Sequence, residues 1–157
     1  MDNAILIAGP TASGKSRLAI DLARALNGVI INADSMQVYA ELRVLTARPD
    51  ADEEAAAPHR LYGITSAAAP FSAGRWLELA LAEAVAARES GQVPIIVGGT
   101  GLYFQALTEG MAEIPDISEQ ARAEARSMLE ELGAAGLHAS LGERDPIMAE
   151  RLKPTDS

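Results

Sequence analysis

The stretch GPTASGKS at residues 9–16 decides the fold. It matches the pattern G-x-x-x-x-G-K-[ST], in which glycines permit a tight turn and backbone N–H groups point at phosphate oxygens. The apolar run AILIA (4–8) precedes it, and a segment with apolar residues at helical spacing follows it as far as Leu26. Strand, loop and helix form the arrangement in which this motif binds phosphate. We therefore expect a phosphate-binding loop, with an ordinary glycine-rich turn as the alternative.

Two side chains of this loop carry charge or a metal-binding oxygen. Lys15 is expected to neutralise phosphate oxygens, and the Ser16 hydroxyl group is expected to bind Mg²⁺. The motif alone thus predicts where an anion and its metal ion would bind.

A second chemical group follows the next apolar run. Asp34 comes directly after VIINA (29–33), at the end of a predicted buried strand. A carboxylate there can hold a Mg²⁺-bound water molecule or accept a proton as a general base. A turn or helix cap is the plain alternative for a lone aspartate. The residues SMQVY (35–39) continue the loop with hydrogen-bonding and stacking groups.

Strands and helices are predicted to alternate through the first two thirds of the chain. Further strands are expected at 61–64 and 94–97, and further helices at 72–89, with Ser72 as N-cap, and at 100–107. Alternation of this kind indicates a parallel, right-handed α/β sheet flanked by helices, of the P-loop NTPase-like type.

After Pro115 only helices are predicted. They are expected at 118–132, 137–141 and 146–152. We therefore predict an incomplete α/β core at 1–113 and the start of an all-helical insertion at 114–157.

The glycine-rich loop GGTG (98–101) follows the predicted strand at 94–97. A kinase often has an acidic residue at the end of such a strand, and none is present here. The glycines would let another molecule approach the backbone, and Thr100 offers a hydroxyl group, with a simple helix cap as the alternative. Arg122 and Arg126 lie one helical turn apart among acidic residues, as on a solvated, ion-paired helix face.

Composition excludes several classes of protein. The 157 residues contain no cysteine, which excludes disulfides, cysteine zinc sites and thiol nucleophiles, and no run is long enough to span a membrane. The net charge of −9 argues against a protein that coats nucleic acid by bulk charge. Residues 1–8 are interpreted as a first strand, not a signal peptide, so we expect a cytoplasmic location.

Six segments together resemble the IPP transferase family, the tRNA dimethylallyltransferases. They occur in family order and are GPTASGKS (9–16), ADSMQVY (33–39), TARP (46–49), PHRL (58–61), VGGTGLYFQAL (97–107) and DP (145–146).

The resemblance implies transfer of a dimethylallyl group from dimethylallyl diphosphate to N6 of adenine 37 in tRNA, beside the anticodon, with Mg²⁺ as cofactor. Asp34 would be the general base, and Lys15 and Thr11 would act at the reacting diphosphate. The diphosphate-binding residues would be Gly9, Pro10, Thr11, Ala12, Ser13, Gly14, Lys15 and Ser16. The residues in contact with the anticodon stem-loop would be Asp34, Ser35, Met36, Gln37, Thr100 and Arg122.

The resemblance also implies a longer protein. Family members continue beyond the segment that matches 153–156, so this sequence resembles about the first half of such an enzyme, and its activity in isolation is in question. Exposed sheet edges and apolar helix faces would then favour self-association. The alternatives are a small-molecule P-loop kinase, an adenylate isopentenyltransferase and a non-catalytic module that binds diphosphate or nucleotide.

Overall fold

The computed structural model describes residues 4–111 and 117–155. The chain divides into two compact units, Met1–Ala112 and Glu113–Ser157. The predicted domain boundary between residues 113 and 114 lies outside the described residues. Each unit is described by itself below.

The first unit contains a parallel sheet with the strand order β1-β4-β2-β3. Its strands are β1 (Ile5–Ala8), β2 (Gly28–Asn32), β3 (His59–Arg60) and β4 (Val93–Gly98). The central strands β2 and β4 are almost entirely buried, as expected for apolar runs covered on both faces. The predicted parallel α/β sheet is confirmed.

Helices cover both faces of this sheet. They are α1 (Lys15–Leu26), α2 (Ala51–Ala56), α3 (Ala73–Glu89) and α4 (Gly101–Glu109). Helix α1 packs with Ile30 and Ile95 on one face, whereas α3 and α4 pack with Ile31 and Ile96 on the other. Ser72 caps α3 by accepting a hydrogen bond from the Arg75 backbone N–H, as predicted. Because successive side chains of β2 and β4 point to opposite faces of the sheet, the first unit has two hydrophobic cores, one on each face.

The third strand lies earlier than predicted. Only residues 59 and 60 pair with β2, whereas the sequence pattern indicated 61–64. Leu61 has φ +63°, a left-handed conformation that cannot continue a strand. Its carbonyl group accepts a hydrogen bond from the Asn32 side chain 3.1 Å away, so a side chain takes the place of the strand partner.

The second unit contains α5 (Glu119–Arg144) and α6 (Pro146–Arg151). The separate helices predicted at 118–132 and 137–141 are confirmed as two helical segments of α5, because Gly133 between them is not helical (φ 66°, ψ 174°). The second segment begins earlier than predicted, directly after Gly133. The His138 Nε2 atom lies 3.0 Å from the carbonyl oxygens of both Ala149 and Leu152, which ties α6 to α5. No helix in the described parts of the chain is long and apolar enough to cross a membrane.

Candidate active site

A cavity of about 580 Å³ lies where the strands of the sheet end. Residues 11–16 of the phosphate loop line it together with Arg17 of α1. Asp34 and Gln37 after β2 and Val97 and Gly98 at the end of β4 also line it. The carboxyl ends of parallel strands are where ligands bind in open α/β sheets. The structure therefore brings the predicted loop and the predicted carboxylate to one cavity.

The phosphate loop joins β1 to the first turn of α1. Two of its residues, Ala12 (φ 62°) and Gly14 (φ 86°), are left-handed, so the chain turns sharply before the helix begins. Gly14 is the N-cap of α1 and provides no side-chain hydrogen bond to the helix. The partial positive charge of this helix end favours an anion.

Lys15 lies over its own loop. Its Nζ atom donates a 2.6 Å hydrogen bond to the carbonyl oxygen of Pro10, and the residue lines the cavity. Gly9 lies beneath, where an added Cβ atom would be 3.4 Å from Ser13 Oγ. Gly9 and Pro10 thus shape the loop, whereas Thr11 to Ser16 border the cavity.

Asp34 is half-buried, and one of its carboxylate oxygens is oriented by the backbone. Oδ1 accepts a 2.9 Å hydrogen bond from the Met36 N–H group. Across residues 4–111 and 117–155, no hydrogen bond to Oδ2 is found. An Asx turn of this kind fits the turn-forming alternative, and it leaves one oxygen available for chemistry.

Asn32 is a site residue that the sequence analysis did not single out. It is completely buried at the end of β2, and its side-chain amide contacts the backbone of Asp34. A polar residue within an otherwise apolar strand was the available signal.

Thr100 contacts the loop that carries Asp34. Its Oγ1 atom accepts a 2.9 Å hydrogen bond from the Ser35 N–H group and donates to Ser35 Oγ over 3.3 Å. Thr100 occupies the N-cap position of α4, but its side chain does not cap the helix. The simple cap interpretation is therefore wrong, because the hydroxyl group joins two segments that are 65 residues apart.

Gln37 and Arg48 organise the wall of the cavity formed by residues 37–50. Gln37 Nε2 donates to the carbonyl oxygens of Thr46 (2.9 Å) and Ala47 (3.2 Å). Arg48 Nη1 donates to the carbonyl oxygen of Ala40 over 3.2 Å, and a Cβ atom at Gly63 would overlap its guanidinium group. Arg48, which the sequence analysis did not assign to the site, thus contributes a fixed positive charge to the cavity.

Of the six predicted contact residues, Asp34 and Gln37 line the cavity, and Ser35, Met36, Thr100 and Arg122 are not among its lining residues. Met36 is 48% exposed in the loop after Asp34. Arg122 lies on α5 in the second unit and is exposed. None of the ion pairs among the described residues involves Arg122 or Arg126, so the predicted ion-paired helix face is not observed.

Two tyrosines near the cavity are held in the neutral form. Burial, with the nearby Asp34 and Glu53 carboxylates, raises the pKa of Tyr62, which lines the cavity. Burial, with Tyr39 and Asp34, raises the pKa of Tyr103 to about 12. Tyr103 stacks on Trp76 with ring centroids 4.1 Å apart and an interplanar angle of 8°.

A parallel sheet flanked by helices, with the loop 9–16 joining β1 to α1, defines an α/β protein with a P-loop NTPase-like fold. Residues 37–157 match the family model for IPP transferase. The chain belongs to the IPP transferase family.

Relatives and solved structures agree with this assignment. The chain is 58% identical to a tRNA dimethylallyltransferase of Rhodospirillum rubrum, over 98% of this chain and 47% of the relative. It is 57% identical to one of Granulibacter bethesdensis, over 98% of this chain and 48% of the relative. The chain thus spans about half the length of the curated relatives it matches.

Two crystal structures have the same fold. The tRNA isopentenylpyrophosphate transferase of Bacillus halodurans aligns with 99% of this chain and 52% of its own, at 34% identity and a TM-score of 0.70. A eukaryotic dimethylallyltransferase acting on tRNA aligns with 98% of this chain and 38% of its own, at 29% identity and a TM-score of 0.81.

Proposed function

We propose that this chain forms the donor-binding part of an enzyme that transfers a dimethylallyl group from dimethylallyl diphosphate to N6 of adenine 37 in tRNA. The observation that carries the proposal is the shared cavity of the phosphate loop and Asp34. The relatives named tRNA dimethylallyltransferase supply the reaction. A small-molecule kinase receives no support from them.

The chemistry uses the two sides of the cavity differently. Residues 9–16 would hold the donor's diphosphate, with Lys15 and Thr11 stabilising the negative charge that develops as it leaves. A bond forms between adenine N6 and the first carbon of the dimethylallyl group, and the bond from that carbon to the diphosphate oxygen breaks. Asp34 accepts the proton that N6 loses.

Magnesium fits the oxygens that the cavity offers. The Ser16 hydroxyl group and the Asp34 carboxylate both line it. Across the described ranges no cluster of three acidic, histidine or cysteine side chains could hold a metal ion by itself. Mg²⁺ usually takes one or two protein oxygens together with phosphates and water. We therefore expect Ser16 to bind Mg²⁺ together with the diphosphate, where the ion would neutralise phosphate charge.

The second substrate would be the anticodon stem-loop of tRNA. Asp34 and Gln37 line the cavity, and Thr100 is hydrogen-bonded to Ser35, which lies between them in sequence. Residues 34–37, Thr100 and Arg122 are the proposed tRNA contacts. A base must leave its stack to reach a reactive group in a cavity, and single-stranded loops allow this most readily. A cytoplasmic location, where tRNA is present, is part of this proposal.

Calorimetric titration of dimethylallyl diphosphate and of ATP, each with Mg²⁺, tests donor binding. We expect the isoprenoid to bind more tightly than ATP and Lys15→Ala to abolish its binding. Arg75→Ala is the matched control, because Arg75 is exposed, pairs with Glu78 and does not line the cavity. Tighter binding of ATP would overturn the proposal in favour of a kinase.

Transfer is tested with an anticodon stem-loop and labelled donor. Asp34→Asn should leave donor affinity within about twofold of the unaltered chain and lower the transfer rate by about a hundredfold or more, because it removes the base. Donor binding without any transfer by the unaltered chain would instead identify a diphosphate-binding module.

A further inference from the structure

We propose that Asn32 is a positioning residue that fixes the carboxylate of Asp34 in the cavity. This inference rests on the proposed function, in which Asp34 is the base. It assigns a role to a residue that lies outside the cavity lining and outside the loop motifs.

The side-chain amide of Asn32 holds the backbone of Asp34 on both sides. Oδ1 accepts a 2.9 Å hydrogen bond from the Asp34 N–H group, and Nδ2 donates to the Asp34 carbonyl oxygen over 3.0 Å. The same Nδ2 atom donates to the Leu61 carbonyl oxygen over 3.1 Å. The amide therefore uses three of its four hydrogen-bonding positions on backbone groups.

Asn32 is itself held rigidly. It is the last residue of β2 and its exposed fraction is 0%. Its carbonyl oxygen accepts a 2.7 Å hydrogen bond from Trp76 Nε1 on α3, and Trp76 is also fully buried. A group supported by a strand and a helix holds a catalytic side chain more precisely than a loop alone.

The fixed backbone of Asp34 determines where its carboxylate lies. Oδ1 accepts the hydrogen bond from the Met36 N–H group, and this bond requires a defined position of the Asp34 main chain. Among the described residues, the hydrogen bonds of Asn32 do not include Met36, whose N–H group bonds to Asp34, so we expect Asn32 to act on the Met36 amide through Asp34. That separation gives the proposal a specific readout.

A packing role alone does not account for this residue. Burying an amide costs free energy unless its hydrogen bonds are satisfied, and a valine or leucine at the end of an apolar strand would avoid that cost. The bonds that satisfy the Asn32 amide are directed at Asp34, which lines the cavity, and at Leu61, whose neighbour Tyr62 lines it.

Amide hydrogen exchange measured by NMR tests the proposal on the Asn32→Ala variant. Val29→Ala is the matched control, because Val29 is buried in the same strand and its truncation weakens packing without touching Asp34. We expect Asn32→Ala to accelerate exchange at the Met36 amide by about tenfold, while the amides of β4 stay protected. In Val29→Ala the exchange rate of the Met36 amide, relative to the amides of β4, should not change. Affinity for inorganic pyrophosphate with Mg²⁺ should stay within about twofold for both variants, because the phosphate loop is intact.

Steady-state kinetics of transfer distinguish the positioning role of Asn32 from the proposed function of the chain. In transfer to an anticodon stem-loop, Asn32→Ala should lower kcat by about a hundredfold with an unchanged KM for the donor. The positioning role would be overturned if the exchange rate of the Met36 amide did not change in Asn32→Ala, or if Val29→Ala raised that rate equally. Absence of donor binding by the unaltered chain would contradict the proposed function, and the exchange result alone would then decide the role of Asn32.

Discussion

The Thr100 hydroxyl group connects the start of α4 to the loop after β2. Replacing it with the isosteric valine leaves the partly buried Ser35 N–H group without its acceptor. We expect Thr100→Val to lower the free energy of unfolding by about 1 kcal/mol, since an unsatisfied buried donor costs about that or more. Urea denaturation measures the change.

Thr108→Val is the control for this prediction. Thr108 is exposed on the same helix, and its hydroxyl group bonds to the Phe104 carbonyl oxygen within that helix. Its replacement should change stability by less than about 0.5 kcal/mol. Equal losses from both variants would contradict the assigned role of the Thr100–Ser35 contact.

Gly98, at the end of β4, lies against the main chain of Ala33, which directly follows β2. A Cβ atom at this position would overlap the carbonyl group of Ala33, which is main chain and cannot rotate away. We expect Gly98→Ala to cost about 3 kcal/mol or more, at the upper end of overpacking effects. Gly101→Ala should be neutral or stabilising by up to about 1 kcal/mol, because open space surrounds a Cβ atom there. Thermal unfolding of the two variants distinguishes these outcomes, and a neutral Gly98→Ala would show that the strand ends can separate.

At the residue scale, sequence analysis located the phosphate loop and Asp34 because both are local features. The loop has a fixed pattern of eight residues, and Asp34 directly follows an apolar run. Asn32 was missed although Asp34 is only two residues away, because the groups that hold Asn32 in place are distant in sequence, and Arg48 was missed because its place depends on the surrounding fold. Asn32 bonds to groups 29 and 44 residues away, and Arg48 depends on the space left by Gly63.

At the scale of elements, long periodic segments were predictable and short ones were not. The bounds of α1 and α3 follow from their caps and apolar spacing, with Asn27 (φ 52°) ending α1. Strand β3 has only two residues, so alternation of side chains gives no signal for it. The apolar residues at 61–64 resembled a strand in the sequence. In the structure Leu61 is instead a turn residue whose side chain packs in the hydrophobic core.

Gly133 determines the shape of α5. Its backbone angles (φ 66°, ψ 174°) lie in a region that essentially only glycine adopts. We expect Gly133→Ala to lower the stability of the helical unit by about 1–3 kcal/mol, because alanine is strained there. The control is Gly142→Ala, whose Cβ atom would make an ordinary 3.9 Å contact with Ala149. Circular dichroism melting checks both, and a more stable Gly133→Ala protein would show that α5 accepts a straight path.

At the scale of the whole molecule, the two units differ in how much they bury. All the buried hydrophobic residues of the described chain belong to the first unit, and α5 and α6 contain none. Strand β1 pairs only with β4 among the described strands, so its other edge has backbone groups without a strand partner. Such an edge can pair with another chain, and the expected self-association stays a prediction.

The buried tyrosines of the first unit predict how its stability depends on alkaline pH. Tyr103 has a pKa of about 12 in the folded protein, against an ordinary value of about 10 for an unfolded chain. The unfolded state therefore releases this proton first as the pH rises. The stabilisation is complete below pH 10 and is lost progressively up to about pH 12, and Tyr62, whose pKa is also raised, acts in the same direction.

Urea unfolding between pH 8 and pH 12, with tyrosinate absorbance recorded in parallel, tests this dependence. We expect the free energy of unfolding to fall above pH 10. In Tyr103→Phe this fall should be smaller, because phenylalanine keeps a ring stacked on Trp76 but has no ionisable group. Ionisation of all tyrosines of the folded protein near pH 10 would contradict the burial of Tyr62 and Tyr103. An equal loss of stability in Tyr103→Phe would show that other groups cause the alkaline unfolding.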